Sequence, residues 1–339
     1  MRKWVKIVIP SLLLAAGVVI CIVRWQAWFG MPAEPQWTGD AIHYEFPTFA
    51  RDSINGFVPS EQGWQDTISP ESLDILVLGD IHNRLQGEDY DSLAARVPQA
   101  DAVIQVGDWL HRGQEYYHLL LLREWTPSDL CGLPIINCPG NHEYTKGLQK
   151  TLSDVWSETF PQPDNGPVNV PGKSYYIDFP SVRIIAIDTN PMTRLVYLTR
   201  TLTWLRQLMN SAGDRYIVVI MHHPVLSVAK GRFNSLIYAI FRHALGEADL
   251  VIAGHDHSYM RRTPFVVLNT AGKDKKQRFR FTPDRVDTVP VYGVLTVNGS
   301  ERSNSVSGLT SNSPKDGLRF TVHRLSDGMQ IDSLYVTHH

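Results

Sequence analysis

The sequence predicts an α/β fold, and three observations predict it. Short apolar runs rich in Val and Ile recur along the chain, stretches of helical periodicity separate them, and each run ends in a polar cluster dominated by His and Asp. Runs of this length and composition read as strands buried on both faces. Their alternation with helices implies a mainly parallel sheet covered on both sides. In such sheets ligands gather beyond the carboxyl ends of the strands, so the clusters are expected to converge in space.

Taken in order, run 75–78 leads to Asp80 and His82, run 102–106 to Asp108, and run 134–138 to Asn141 and His142. Run 216–221 leads to His222 and His223, and run 250–253 to His255 and His257. Helical stretches are expected near 91–97, 114–123, 200–209 and 235–244. Six of the 13 histidines fall at these strand ends, and His111 follows Asp108 by three positions; scatter does not produce that placement. Asp188, after run 182–187, reads as a loop cap and is assigned no chemistry.

The 339 residues are 43% hydrophobic and 19% charged, the make-up of a globular chain able to bury a large core. A formal net charge of -2 lacks the basic footprint that binding nucleic acid requires, and no such partner is expected. Three cysteines make no disulfide framework; Cys131 and Cys138 either pair or leave Cys138 as a buried thiol.

Residues 7–23 carry no charge and as a helix reach about 25 Å, enough to cross a hydrocarbon core. Arg2, Lys3 and Lys6 precede this run while Arg24 alone follows closely, so the positive-inside rule predicts a cytoplasmic N-terminus. Trp25, Trp28 and Phe29 fit an interfacial belt. A cleaved signal peptide is the alternative, but no small-x-small site follows the run. The expected organisation is an N-terminal membrane anchor, one transmembrane helix in 1–30, an extracytoplasmic stalk over 31–70, and a catalytic domain over 71–339 on the periplasmic or extracellular side.

The converging side chains are imidazoles, carboxylates and one amide without a thiolate, a donor set suited to Zn, Mn or Fe. Two Asp and several His exceed what one ion needs. A carboxylate flanked by His on both sides is what a pair of ions roughly 3.5 to 4 Å apart requires.

Gly79-Asp80-Ile81-His82, Gly107-Asp108, Gly140-Asn141-His142-Glu143, His222-His223-Pro224 and Gly254-His255-Asp256-His257 resemble, in order, the five signature blocks of the calcineurin-like metallophosphoesterases. The resemblance covers roughly 72–262 and implies a β-sandwich core flanked by helices. Runs 289–297, 318–324 and 329–335 would complete that sandwich. It further implies that Asp80, His82 and His257 hold one metal, that Asn141, His222 and His255 hold another, and that Asp108 bridges them. His142 would act as general acid near the leaving group, positioned by Glu143, His111 or both. Arg112 would grip the phosphate, as in the serine/threonine phosphatase branch. That branch carries Asp three positions after the bridging residue and purple acid phosphatases carry a metal-binding Tyr there; here it is His111. The closing block, from Gly254 to Arg261, is similar to that of purple acid phosphatases and their bacterial relatives, so both branches remain open.

The expected activity is hydrolysis of a phosphate ester by a hydroxide bridging two divalent or mixed-valence ions. A monoester is favoured because a bidentate guanidinium at Arg112 suits a dianion. The substrate would be a phosphorylated small molecule or a lipid head group. Alternatives are a phosphodiesterase or pyrophosphatase acting on nucleotides or lipid-linked groups, and a scaffold that keeps the fold without the metals. The basic stretch 273–285, with Phe279 and Phe281 interleaved, reads either as a surface for anions or as a solvated hairpin with inward aromatics. Asn298-Gly299-Ser300 matches a glycosylation sequon.

Overall fold

The computed structural model describes residues 72–85, 87–111, 133–144, 152, 156–157, 160–170, 172–232, 236–298 and 317–336. The expected anchor and stalk lie outside them, as do Arg112, Cys131, the helix expected at 114–123 and the Gly-Ser of the sequon. Among the described residues no helix is long and apolar enough to cross a membrane.

In chain order the strands are β1 (Ser72–Leu78), β2 (Ala102–Gln105), β3 (Ile135–Asn137), β4 (Tyr175–Asp178), β5 (Val182–Ile187) and β6 (Tyr216–Met221). They continue with β7 (Leu250–Ala253), β8 (Tyr259–Arg262), β9 (Phe265–Val267), β10 (Arg285–Asp287), β11 (Val291–Asn298), β12 (Gly317–Arg324) and β13 (Gln330–Val336). The helices are α1 (Gly87–Arg96), α2 (Leu195–Asn210) and α3 (Leu236–Leu245).

The strands form two sheets, ordered β13-β12-β11-β1-β2-β3 and β10-β8-β9-β7-β6-β5-β4. This corrects the expectation of one mainly parallel sheet. Pairs β1–β2, β2–β3, β5–β6, β6–β7 and β7–β9 are parallel, while β11 pairs antiparallel with β1, β12 with β11 and β13 with β12. An apolar run records burial on both faces but not which neighbour covers each face, so the sequence leaves the division into two sheets open.

Each central strand feeds two cores by its period of two. Tyr216, Val218 and Ile220 of β6 point into the cluster shared by both sheets, whereas Ile217, Val219 and Met221 meet the helices behind. On β1, Leu73, Ile75 and Val77 face the shared core, and Leu76 and Leu78 face the opposite layer with Tyr90 and Leu93 of α1. Helix α2 buries Leu198, Leu202, Leu205 and Met209, a helical stripe that docks on the β5–β6 face. Helix α1 carries Glu88 and Asp89 in its first turn and Arg96 in its last, complementing the helix dipole. The result is a two-sheet sandwich with helices on its outer faces, in accord with the α/β expectation and with the resemblance.

The basic stretch is not a hairpin of its own. Gln277 bridges Ala229, and only Arg285–Asp287 form a strand, paired with β8. Phe279 is half exposed rather than inward-facing, while Phe281 packs against the helix-side core.

Candidate metal centre

The site lies where the carboxyl ends of β1, β2 and β3 from one sheet meet those of β6 and β7 from the other. Backbone bonds tie these ends together: Gly254 N donates to His222 O at 3.0 Å, His82 N to Asp108 O at 3.0 Å, and Thr270 N to Gly79 O at 2.7 Å. The turns are sharp. Asp80, His82, Asp108, His255 and His257 all adopt positive φ, between 50° and 71°, a region that costs a non-glycine residue about 1 to 3 kcal/mol and clusters at functional sites. Gly107 sits at φ 84°, and a Cβ there would meet Gly140 N and His222 Nδ1, both at 2.6 Å. Only glycine allows these two loops to approach so closely.

The carboxylates and imidazoles are held from behind. Nδ1 of His82 donates to Leu110 O at 3.3 Å, that of His222 to Val106 O at 2.9 Å, and that of His257 to Lys273 O at 2.6 Å. Each ring therefore presents the lone pair of Nε2 inward, with its orientation fixed by a carbonyl. His255 is turned the other way and presents Nδ1, 3.1 Å from Nε2 of His222. Asp80 accepts from His255 N at 2.9 Å through Oδ1, while its buried Oδ2 has no hydrogen-bond partner. Asp108 accepts from His142 N at 2.9 Å through Oδ1, and its Oδ2 stands 3.7 Å from Nε2 of His82 and 3.2 Å from Nε2 of His222.

The expected residues thus fall into linked sets. Asp80, His82, Asp108 and His257 bring ligand atoms within 4.8 Å of one another, and so do His222, His223 and His255. Asn141 joins the second set, its Oδ1 3.3 Å from Nε2 of His222. Nε2 atoms of His82 and His257 lie 3.0 Å apart. Lone pairs that face one another across such distances, beside an unpartnered buried carboxylate oxygen, need a cation between them, so these residues fit a bound metal.

Electrostatics point the same way. Burial lowers His82 to about 3 and His257 to about 4 and pushes His255 well below its ordinary value, so these rings are neutral and ready to coordinate. Burial raises Asp80 to about 7. It also pushes Asp108 up, but the charge and hydrogen bond of His222 outweigh that and hold Asp108 below the usual carboxylate range. Burial depresses His222 as well, yet Asp108 prevails and raises it to about 9; the buried field favours positive charge between these groups.

His142 places Nε2 3.9 Å from Asp108 Oδ2, and its Nδ1 donates to the main-chain carbonyl of His111. The His111 ring stands 6.0 Å away, centroid to centroid, and His82, His111 and His142 also bring ring nitrogens within 4.8 Å of one another. Glu143 does something else: its buried carboxylate accepts from the N–H groups of Asp108, Leu110 and Gly140 at 2.9, 3.0 and 2.6 Å and forms the floor of the bridging loop. His223 accepts or donates at Thr189 Oγ1, 2.7 Å from Nδ1, with its ring 4.3 Å from that of His255. Asp188 is the node behind Asn141: it accepts from Tyr144 and Lys173 N and holds Asn190, whose amide donates to Pro139 O and Gly140 O. Asp256 points away from the centre toward Ser227, Val228 and Ala229. Sequence reasoning missed Arg232, which contacts His255 from a loop with no strand-end motif to mark it; Lys275, inside the basic stretch read as an anion surface or a hairpin, also contacts His255.

Comparisons with known proteins agree with this geometry. The sequence model of the calcineurin-like phosphoesterases matches residues 73–259. Among solved structures, a purple acid phosphatase from yellow lupin (Lupinus luteus) seeds superposes with a TM-score of 0.59 at 16% identity, covering 78% of this chain and 53% of that one. The chain therefore spans about half the length of the plant enzyme. GAP50, titled the anchor in the inner membrane complex of Plasmodium, superposes with a TM-score of 0.50 at 13% identity, covering 78% and 89%. At these identities the likeness is one of fold. No curated protein sequence matches the chain.

Proposed function

We propose, from the premise that this chain belongs to the calcineurin-like phosphoesterase family, that it hydrolyses a phosphate ester at a pair of metal ions. Asp80, His82 and His257 would hold one ion, Asn141, His222 and His255 the other, and Asp108 both. The observation that carries this reading is the sharing of Asp108, whose Oδ2 stands 3.7 Å from His82 Nε2 on one side and 3.2 Å from His222 Nε2 on the other. Manganese, iron and zinc all suit the donor set. Bound there, such ions acidify a water and neutralise charge on the phosphoryl oxygens.

The chain's own residues do the rest. With Nδ1–H committed to the His111 carbonyl, Nε2 of His142 faces the centre and, as imidazolium, delivers its proton to the departing oxygen. The carbonyl partners of His82, His222 and His257 keep those rings from rotating. Arg112, by its place four residues after Asp108, is assigned the grip on a dianionic phosphate, which favours monoesters over diesters. The uncharged run 7–23 supports a single-pass anchor with the catalytic domain outside the cytoplasm, and hence a phosphorylated small molecule or lipid head group as substrate. A non-catalytic scaffold role is disfavoured because every expected ligand position carries a side chain able to coordinate.

Purified protein supplied with manganese is expected to hydrolyse p-nitrophenyl phosphate faster than its bis ester, and Asp108→Asn is expected to lower kcat/KM at least about 100-fold. A purified native sample that neither retains metal nor turns over any ester would remove the proposal. For location, alkaline extraction of membranes should leave the full chain in the pellet and release a chain lacking residues 1–30; release of both would remove the anchor.

A further inference from the structure

The basic stretch begins at the rim of the centre, where Lys273 O accepts from Nδ1 of His257 at 2.6 Å. From there the chain crosses to the segment after β6. Lys230 N donates to Lys276 O and Arg278 N to Val228 O, each at 2.7 Å, and Ala229 bridges Gln277. Lys230, Lys273, Lys276, Arg278 and Arg280 are all exposed, and Asp274 is the one acid within 273–280. Five residues of chain reach about 17 Å at most, so Arg278 lies within that distance of Lys273 and hence beside the site.

Two features set this stretch apart from a solvated face. The antiparallel bridge places Lys230 opposite Lys276, a like-charge pairing that costs stability unless an anion lies over it. Phe279 stands half exposed between Arg278 and Arg280, although Phe281, two positions on, packs into the helix-side core. The whole chain carries a formal charge of -2, so the positive charge is concentrated here rather than spread over the surface. An outward phenyl ring flanked by cations suits the boundary of a bilayer, where the ring enters the acyl edge and the cations meet lipid phosphates.

We propose that Lys230, Lys276, Arg278 and Phe279 dock the domain on an anionic lipid surface and so turn the metal centre toward the head groups. This rests on the anchored reading above. Residues 24–71 separate the uncharged run from β1, which enters the domain at Ser72. The centre lies at the other end of that strand, about 20 Å on. An anchor joined there keeps the domain near the bilayer but does not bring the centre to it; a surface contact beside the centre does. The contact can be weak, because the tether makes it intramolecular. Nucleic acid offers similar phosphates, but a domain held at a membrane outside the cytoplasm meets lipid first.

The test uses the full chain with vesicles of phosphatidylcholine alone or mixed with phosphatidylglycerol. The photoreactive p-benzoylphenylalanine replaces Phe279 or, as a control, Met329, which is exposed to the same extent, 50%. At position 279 the probe is expected to crosslink lipid at least about fivefold more in the anionic vesicles, and at 329 equally in both. Lys276→Gln and Arg278→Gln, introduced beside the probe, should each lower the anionic signal about fivefold, the share one cation carries near a charged bilayer. Arg278→Lys should keep most of it, and added salt should weaken it. In detergent all of these variants should hydrolyse p-nitrophenyl phosphate as wild type does. Equal crosslinking in the two lipids, or at the two positions, overturns the docking surface, and so does an added RNA that takes the label in place of anionic lipid. Release of the chain by alkaline extraction removes the anchor instead; the probe at 279 then still decides the surface, since crosslinking to added vesicles requires neither the anchor nor turnover.

Discussion

At the scale of single residues, the centre is built from strained main chain held by hydrogen bonds that carry no chemistry themselves. Asp108 takes up φ 56° because Glu143 accepts its N–H together with those of Leu110 and Gly140, and because the Gln105 side chain clasps Gly107 at both N–H (2.7 Å) and carbonyl (2.9 Å). Replacing Glu143 by Gln turns part of a three-bond acceptor into a donor facing N–H groups. The expected cost is about 1 to 3 kcal/mol of stability, read from the urea midpoint, with metal affinity falling about 10- to 100-fold in a competition titration. A variant with unaltered metal affinity would show that the loop holds its shape without this carboxylate. The signature Gly140-Asn141-His142-Glu143 marks Glu143 in the sequence, but whether it faces His142 or the underside of the loop depends on where the β2 end lies. That is a contact between residues 35 positions apart.

At the scale of elements, the two sheets are joined away from the centre by β8 and β13. Asp332 of β13 accepts from Tyr259 Oη at 2.6 Å and Arg261 Nε at 2.8 Å, both on β8. Burial pushes the Asp332 carboxyl up, but the bonds from Arg261 and Tyr259 prevail and hold it below its ordinary value. A carboxyl with a lowered folded pKa contributes stability above its unfolded pKa, near 3.9, and loses that contribution as pH falls through the folded value. Asp332→Asn is therefore expected to be less stable than wild type at pH 6, with the gap between their unfolding midpoints narrowing toward pH 3. A gap that stays constant with pH would mean the ion pair contributes nothing. Strand positions themselves were legible: 182–187, 216–221 and 250–253 coincide with β5, β6 and β7, because buried strands leave an unbroken apolar record. Of the two readings of 273–285, the self-contained hairpin is not formed, since Lys276 and Arg278 bond the 228–230 segment instead.

For the whole molecule, the site closes only when both sheets are assembled, since β1 and β2 deliver Asp80, His82 and Asp108 while β6 and β7 deliver His222, His255 and His257. An ion bound by residues of both sheets binds the folded state alone, so it stabilises by mass action, about 2.7 kcal/mol at a hundredfold excess over its Kd. Manganese should raise the thermal midpoint and a chelator lower it; a midpoint indifferent to both would argue against an interfacial ion site. The shared core makes the same assembly cooperative. Ile220, fully buried between the sheets, should cost about 2 to 5 kcal/mol when cut to Ala, whereas exposed Leu195 should cost under about 0.5 kcal/mol. By itself the sequence determined the strands, the order of the metal-binding blocks and the donor chemistry, because burial and ligand type are properties of short segments. The tertiary structure alone decided the division into two sheets, the reversed ring of His255 and the arrival of Arg232 and Lys275 beside it, because each depends on contacts between distant segments that no local pattern encodes.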